Sequence, residues 1–349
     1  MEARNKSYGV HKNLEDEIIK KINLVDVSGF NYSGKSAVMD ILREFDKVTV
    51  HPKKFEFLLI RMTDGILDLK KSLFDNWSPI RSDIAIKRFR RLIYVLNKGK
   101  TSVFEPKSLF EPTGQNYKNV LGKDFKSISE EYLNSLIKHK VKTFWPFEDF
   151  SSYFFRNLYV KFLNLAGKYE NEHLLAYDDN FISLTQNYLN KILSKKLNAD
   201  SKTLVTSNAI EVFQPFEALE LFPNYKLIIV DRNPIDAFLA YCQNKNYSKK
   251  YFKKEAAVFF KRYSFFHEIS DKFLEDHKRI LRISFENLIK NYDETLDEIK
   301  IFLNLESENH HKFSLFEPSP SKIGTLKHFK YPEIFDDYLT ELEEYEQST

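Results

Sequence analysis

The segment that most constrains this chain lies at residues 22–51. Ile22 to Ser28 is an apolar run broken only by Asn23 and Asp26, and it ends on Gly29. Residues 29–36 then read GFNYSGKS, which is glycine, four residues, glycine, lysine and serine. Ala37, Val38, Ile41, Leu42 and Phe45 come next at helical spacing, and Lys47 to His51 reads as a second short strand. A strand that feeds a glycine-bearing turn and then a helix suits a bound anion. The glycines let the backbone wrap a phosphate, successive N–H groups and the helix N-terminus point at it, and Lys35 adds a mobile positive charge. The residues expected around the phosphates are Gly29, Tyr32, Ser33, Gly34, Lys35, Ser36 and Ala37. The loop alone does not say which nucleotide it holds.

Helical patterns dominate the middle of the chain, at Asp83 to Asn97, Ile128 to Lys138, Ser151 to Ala166 and Phe181 to Leu197. Gly99 to Gly122, with Pro106, Pro112 and Gly114, reads as an irregular stretch and a candidate lid. Strands return at Thr203 to Thr206 and Lys226 to Asp231, the second leading into a helix from Pro234 to Asn244. A long helix over Lys249 to Glu275, a short strand over Arg279 to Ile283 and a helix over Asp293 to Asn304 complete the pattern. Strands separated by helices, without hairpin signals, predict an α/β fold. The expected form is a P-loop-type parallel sheet with helices on both faces, in one domain of residues 1–349 with a mainly helical insertion over residues 82–200.

Lysine and arginine number 53 against 50 acidic residues, a net charge of only +3 with the basic residues scattered, so neither a nucleic-acid nor a membrane partner is expected. The single cysteine, Cys242, excludes an intrachain disulfide and fits a reducing compartment. The opening MEARNKSYGVHKNLEDEIIKK lacks the apolar run of a signal peptide. No later segment approaches the roughly 20 apolar residues of a membrane span, so a cytoplasmic location is expected. The histidines show no ligand spacing, and His310 beside His311 sits in a polar segment, so no metal is expected.

Residues 226–241, KLIIVDRNPIDAFLAY, resemble the strand and turn with which sulfotransferases hold the 3'-phosphate of 3'-phosphoadenosine 5'-phosphosulfate, and Arg232 falls at the family's phosphate-binding arginine. An arginine just past a buried strand, with a helix opening at Pro234, is well placed for a phosphate. Residues 279–305 look like the later strand, acidic turn and helix of the same family. SKIGTLKHF, residues 321–329, is similar to the glycine-lysine region that closes over the nucleotide, which makes Lys322 and Lys327 phosphate candidates. The sequence departs from the pattern at two places. Ala240 stands where a serine is usual, with Ser248 or Tyr241 as the neighbours that would substitute, and Tyr32 stands where lysine or arginine is common, with Lys35 as the replacement charge. The resemblance covers residues 22–61 and 203–329 in scattered form and points to bacterial sulfotransferase-like proteins.

The resemblance implies transfer of a sulfuryl group from that donor to a hydroxyl, on a carbohydrate by analogy, with no metal required. Lys35 and the amides of Gly34 and Ser36 would stabilise the transferring group. The base would come from HPKKFEFLLIRMTDG, residues 51–65, where Glu56 between Phe55 and Phe57 is preferred to His51. Arg61 and Asp64 are acceptor-pocket candidates, Arg81 is a candidate for an acidic or sugar acceptor, and Asn208 sits at a strand end where ligands bind in such sheets. Two other readings stand beside this one. LIIVD at residues 227–231 has the apolar run ending in aspartate with which kinases and NTPases hold magnesium, which would make Asp231 critical. The third is a nucleotide-binding protein without catalysis. Nothing in the sequence fixes an oligomeric state.

Overall fold

The computed structural model describes residues 23–99, 114–143, 171–177, 179–198, 203–243, 245–272, 277–305 and 310–338, with short pieces between residues 158 and 201. They fall into two compact units. One is built from the described residues of Lys20–Phe57 and Leu197–Thr349, the other from those of Leu58–Lys196.

The first unit holds a five-stranded sheet of β1 (Asn23–Gly29), β2 (Val48–Val50), β5 (Thr203–Ser207), β6 (Tyr225–Asp231) and β7 (Ile280–Ser284). The order is β2-β5-β1-β6-β7, and every pairing is parallel. β1 is central and buried on both faces: Val25 and Val27 on one have no exposed surface, and Leu24, Asp26 and Ser28 on the other are buried too. It leads into α1 (Lys35–Arg43), whose Ala37, Val38, Ile41 and Leu42 bury against β1, β5 and β6 as their spacing predicts. The unit's other helices are α7 (Phe216–Leu221), α8 (Pro234–Cys242), α9 (Lys249–Asp271), α10 (Phe285–Lys290) and α11 (Tyr292–Leu303). Leu296, Ile299 and Leu303 of α11 join α1 in one core. The fold is thus α/β, a parallel sheet flanked by helices and consistent with the P-loop type.

The second unit contains α2 (Ile66–Lys70), which runs on as a π-helical turn over Lys71–Asp75, then α3 (Pro79–Asn97), α4 (Tyr117–Val120), α5 (Phe125–Leu136) and α6 (Phe181–Leu193). α3 begins four residues before the expected Asp83. Ser78 caps it by accepting from Arg81 N at 3.2 Å, and Pro79 supplies the preset φ of a first helical position. α5 stops two residues short of the expected Lys138, where β3 (Ile137–Thr143) pairs antiparallel with β4 (Asn171–Ala176). The helix expected to run to Lys138 is corrected there. Ile137, His139, Val141 and Thr143 alternate with three lysines, a period-two signal whose first two residues helical spacing had claimed. Two buried polar residues of α3 hold β4 in place. Ser82 Oγ accepts Ala176 N at 2.7 Å, and Asp83 Oδ1 accepts Leu174 N at 2.8 Å. The helix expected over residues 151–166 lies outside the described residues but for isolated positions.

Candidate active site

The site is built on the carboxyl ends of β1, β5 and β6, where a parallel sheet leaves its loops. Gly34 adopts φ 91° in the left-handed region, and a Cβ there would fall inside the Phe285 ring, so both the turn and its close approach to β7–α10 require glycine. The first turn of α1 carries no acidic residue; Ala37 N donates to the Gly34 carbonyl at 2.8 Å, and the N–H groups before it are those that a helix start leaves for an anion. Ser33 Oγ is buried with no hydrogen-bond partner among the described residues. Tyr32 is held at φ 63°, half-exposed, with its ring edge-on to Tyr241 at 5.5 Å.

Arg232, one residue past β6, lies against this loop. Its Nη1 donates to the Tyr32 carbonyl at 3.3 Å, its Nη2 to the Lys322 carbonyl at 2.7 Å, and its guanidinium stacks 4.6 Å from the Phe285 ring centroid. Nε is buried without a partner among the described residues. Burial holds the guanidinium below its usual pKa, so an incoming anion would relieve a desolvated charge. Tyr263 of α9 fixes the arginine's backbone by donating to its carbonyl at 2.6 Å. The phosphate loop and Arg232, predicted separately, are in contact.

The residues of 321–329 form two short 3₁₀ turns, Pro320–Lys322 and Thr325–His328. Asp236 of α8 clasps them, its two carboxylate oxygens accepting Gly324 N and Thr325 N at 2.8 Å each. Lys322 meets the site through its carbonyl, while its ammonium lies over Phe316 at 4.6 Å. Lys327 is exposed. Neither Asp236 nor Phe285 was legible as a site residue: an acid inside a helix and an aromatic after a strand carry no motif of their own.

Lys35 Nζ donates to Glu56 Oε1 at 3.0 Å, and Asn208 Nδ2 donates to the same oxygen at 2.6 Å. Three of the expected residues therefore converge. Asn208 reaches Glu56 because it takes φ 54°, a left-handed conformation asparagine tolerates, just past β5. Asp26 pins the turn after Asn208. Fully buried in β1, its carboxylate accepts from Ser28 Oγ at 2.7 Å, Thr206 Oγ1 at 2.8 Å, Ala209 N at 2.9 Å and Ile210 N at 3.0 Å. His51 has a different setting. It is 2% exposed, its ring stands edge-on to Phe55 at 5.1 Å, and neither ring nitrogen has a hydrogen-bond partner among the described residues. Burial drops its pKa to about 4, so it is neutral at pH 7.

Asp231, the magnesium ligand of the kinase reading, accepts from Arg282 Nε, and Arg282 also donates to Asp271 Oδ1 at 2.8 Å. Ser248, a candidate to stand in for the missing serine, caps α9 by accepting Tyr251 N at 3.4 Å, whereas Tyr241 faces the loop through Tyr32. In the helical unit, Asp64 and Arg81 line one cavity of about 480 Å³. Arg61 is half-buried and not among its lining residues. Among the described residues no group of three His, Cys, Asp or Glu side chains could hold a metal ion, and no helix is long and apolar enough to cross a membrane.

A glycine-lysine loop between a central parallel strand and its helix, met by an arginine from the next strand, places the chain in the α/β class and is consistent with the P-loop type. Residues 154–309, Arg232 among them, match the model of the sulfotransferase family. The phosphate loop lies outside the matched residues. Similar solved structures include sulfotransferase STF9 from Mycobacterium avium, 13% identical, with 95% of this chain and 80% of that one covered and a TM-score of 0.36. The sulfotransferase from Alicyclobacillus acidocaldarius is 10% identical, with 89% and 92% covered and a TM-score of 0.34. The sulfotransferase domain from the curacin biosynthetic pathway is 13% identical, with 85% and 76% covered and a TM-score of 0.34. No curated protein matches the sequence.

Proposed function

We propose that this protein transfers a sulfuryl group from 3'-phosphoadenosine 5'-phosphosulfate to a hydroxyl of a small acceptor such as a carbohydrate. The observation that carries the reading is the meeting of Arg232 with the phosphate loop, on an aromatic platform and with a buried Nε lacking a protein partner among the described residues. Such a donor presents phosphate at both ends of its ribose. Gly34, Lys35 and Ser36 at the start of α1 suit the 5' end and Arg232 suits the 3' end, with Lys322 and Lys327 as further cations. The unpartnered Ser33 Oγ fits a phosphate oxygen.

The donor supplies a sulfuryl group on a good leaving phosphate. Lys35 stabilises the charge that develops on the bridging oxygen as the bond to sulfur breaks. Glu56 accepts the acceptor's proton as its oxygen bonds to sulfur, and Asn208 holds the carboxylate in position. His51 is enclosed among aromatic rings, so Glu56 is the better base. Asp231 is engaged by Arg282, which favours this reading over magnesium-dependent phosphoryl transfer.

Calorimetric titration with adenosine 3',5'-bisphosphate, set against ATP with magnesium, tests the reading. Metal-independent binding of the bisphosphate that weakens about ten-fold or more in Lys35→Ala and in Arg232→Ala is expected. Magnesium-dependent ATP binding that ignores Arg232→Ala would replace it with the kinase reading.

A further inference from the structure

The cavity in the helical unit has a lining specific enough to name its occupant. One wall is a single face of α3, because Arg81, Ile84, Ala85 and Arg88 recur at helical spacing. Asp68, Leu69, Lys71 and Ser72 from α2 and the π-helical turn line it as well. Its volume of about 480 Å³ is that of a small-molecule site, which typically spans about 300–1,000 Å³.

The charges are unequal. Three cationic residues, Lys71, Arg81 and Arg88, line it with two acidic ones, Asp64 and Asp68, and Lys71 and Arg81 are exposed. Arg88 lies 3.8 Å from Asp64, and Asp68 Oδ2 accepts the Asp64 N–H at 2.7 Å. Arg81 gives one N–H of its fork to the Asn76 carbonyl at 3.1 Å. Among the described residues neither Arg81 nor Lys71 is ion-paired. Two cations without a counter-charge in one concave site call for an oxyanion, and a guanidinium fork matches the planar geometry of a carboxylate. The lining also contains groups an anion cannot use. Carboxylates accept hydrogen bonds and do not donate them, so Asp64 and Asp68 suit hydroxyl protons, while Ser72 and Asn76 can do either. Leu69, Ile84 and Ala85 give an apolar patch for carbon-bound hydrogens.

We propose that this cavity binds a small hydroxylated carboxylic acid of the uronic acid type, its carboxylate on Arg81 and Lys71 and its hydroxyls on Asp64 and Asp68. Only the further step of calling that acid the sulfuryl acceptor rests on the transferase reading. Binding therefore tests the cavity, and turnover does not enter.

The experiment is calorimetric titration of the full chain with glucuronate, glucose and inorganic sulfate. Adenosine 3',5'-bisphosphate, titrated into the same preparation, reports the transferase reading separately. Glucuronate is expected to bind at a single site about ten-fold or more tightly than glucose or sulfate, and about ten-fold more weakly in Arg81→Ala and Lys71→Ala. Lys191→Ala, which removes an exposed cation paired with Glu131 in the same unit, controls for net charge and is expected to leave the affinity unchanged. Glucose or sulfate binding as tightly as glucuronate would overturn the assignment, as would binding indifferent to Arg81 and Lys71, or no glucuronate binding at all. Failure of the bisphosphate to bind, with glucuronate still bound, would remove the transferase reading and leave the cavity's ligand in place.

Discussion

At the scale of single residues, Glu56 and His51, the two candidate bases that the sequence offers on nearly equal terms, differ in their neighbours. Glu56 is met by a cation and an amide on one oxygen. His51 is sealed among rings with both nitrogens unpartnered among the described residues. Glu56→Gln is accordingly expected to lower kcat by about a hundred-fold or more while bisphosphate affinity stays near wild type, and His51→Leu to lower it far less; steady-state kinetics on both variants checks this. A full loss in His51→Leu would reverse the assignment. The same histidine sets an acid limit, together with His267, whose burial also holds it at about 4. Both are depressed below the unfolded value of 6.5, so the folded state stays neutral while the unfolded chain takes up protons. Stability is therefore expected to fall as pH drops from about 6.5 toward 4, by up to about 3 kcal/mol per histidine. Thermal melts across that window should show the decline, and His51→Leu should shallow it. A slope unchanged in the variant would mean that other groups govern the acid limit.

At the scale of elements, the turns at 320–328 are the part of the site held most indirectly. Asp236 grips two of their amides, and Arg232 takes a carbonyl from the same segment. Asp236→Ala removes a buried acceptor and is expected to cost about 2 kcal/mol locally. Faster hydrogen exchange at Gly324 and Thr325 with the sheet amides unchanged is the expected sign, and unchanged protection at those two amides would contradict it. This clasp explains a difference in legibility. The strand, loop and α1 were readable from the sequence because glycine, lysine and apolar spacing act locally, within about twenty residues of chain. Asp236 works by reaching residues 324 and 325, and no local pattern announces such a reach. Asn208 is intermediate: its place at a strand end was readable, but its hold on Glu56 depends on a left-handed turn pinned by Asp26. β3 was missed for another reason. Its alternation of apolar and lysine positions directly adjoins a good helix, and helical spacing took the boundary.

For the whole molecule, the position of β1 has a consequence for how the chain comes off the ribosome. The strand that carries the phosphate loop is central, and its two neighbours are β5 and β6. Its register partners begin at Thr203 on one side and Tyr225 on the other. β1 is thus made early and stays unpaired on both edges while the helical unit is synthesised, since closing so long a loop must precede any sheet contact. A fragment ending at Lys196 is expected to lack bisphosphate binding altogether, although it contains every residue of the loop. Supplying residues 197–349 as a separate chain should restore binding, and calorimetry on the two pieces mixed and apart measures it. Binding by the first piece alone would mean that the loop needs no floor. On the proposed reading, nucleotide recognition is a property that the nascent chain acquires late, after an interval in which β1 must be kept from the wrong partners.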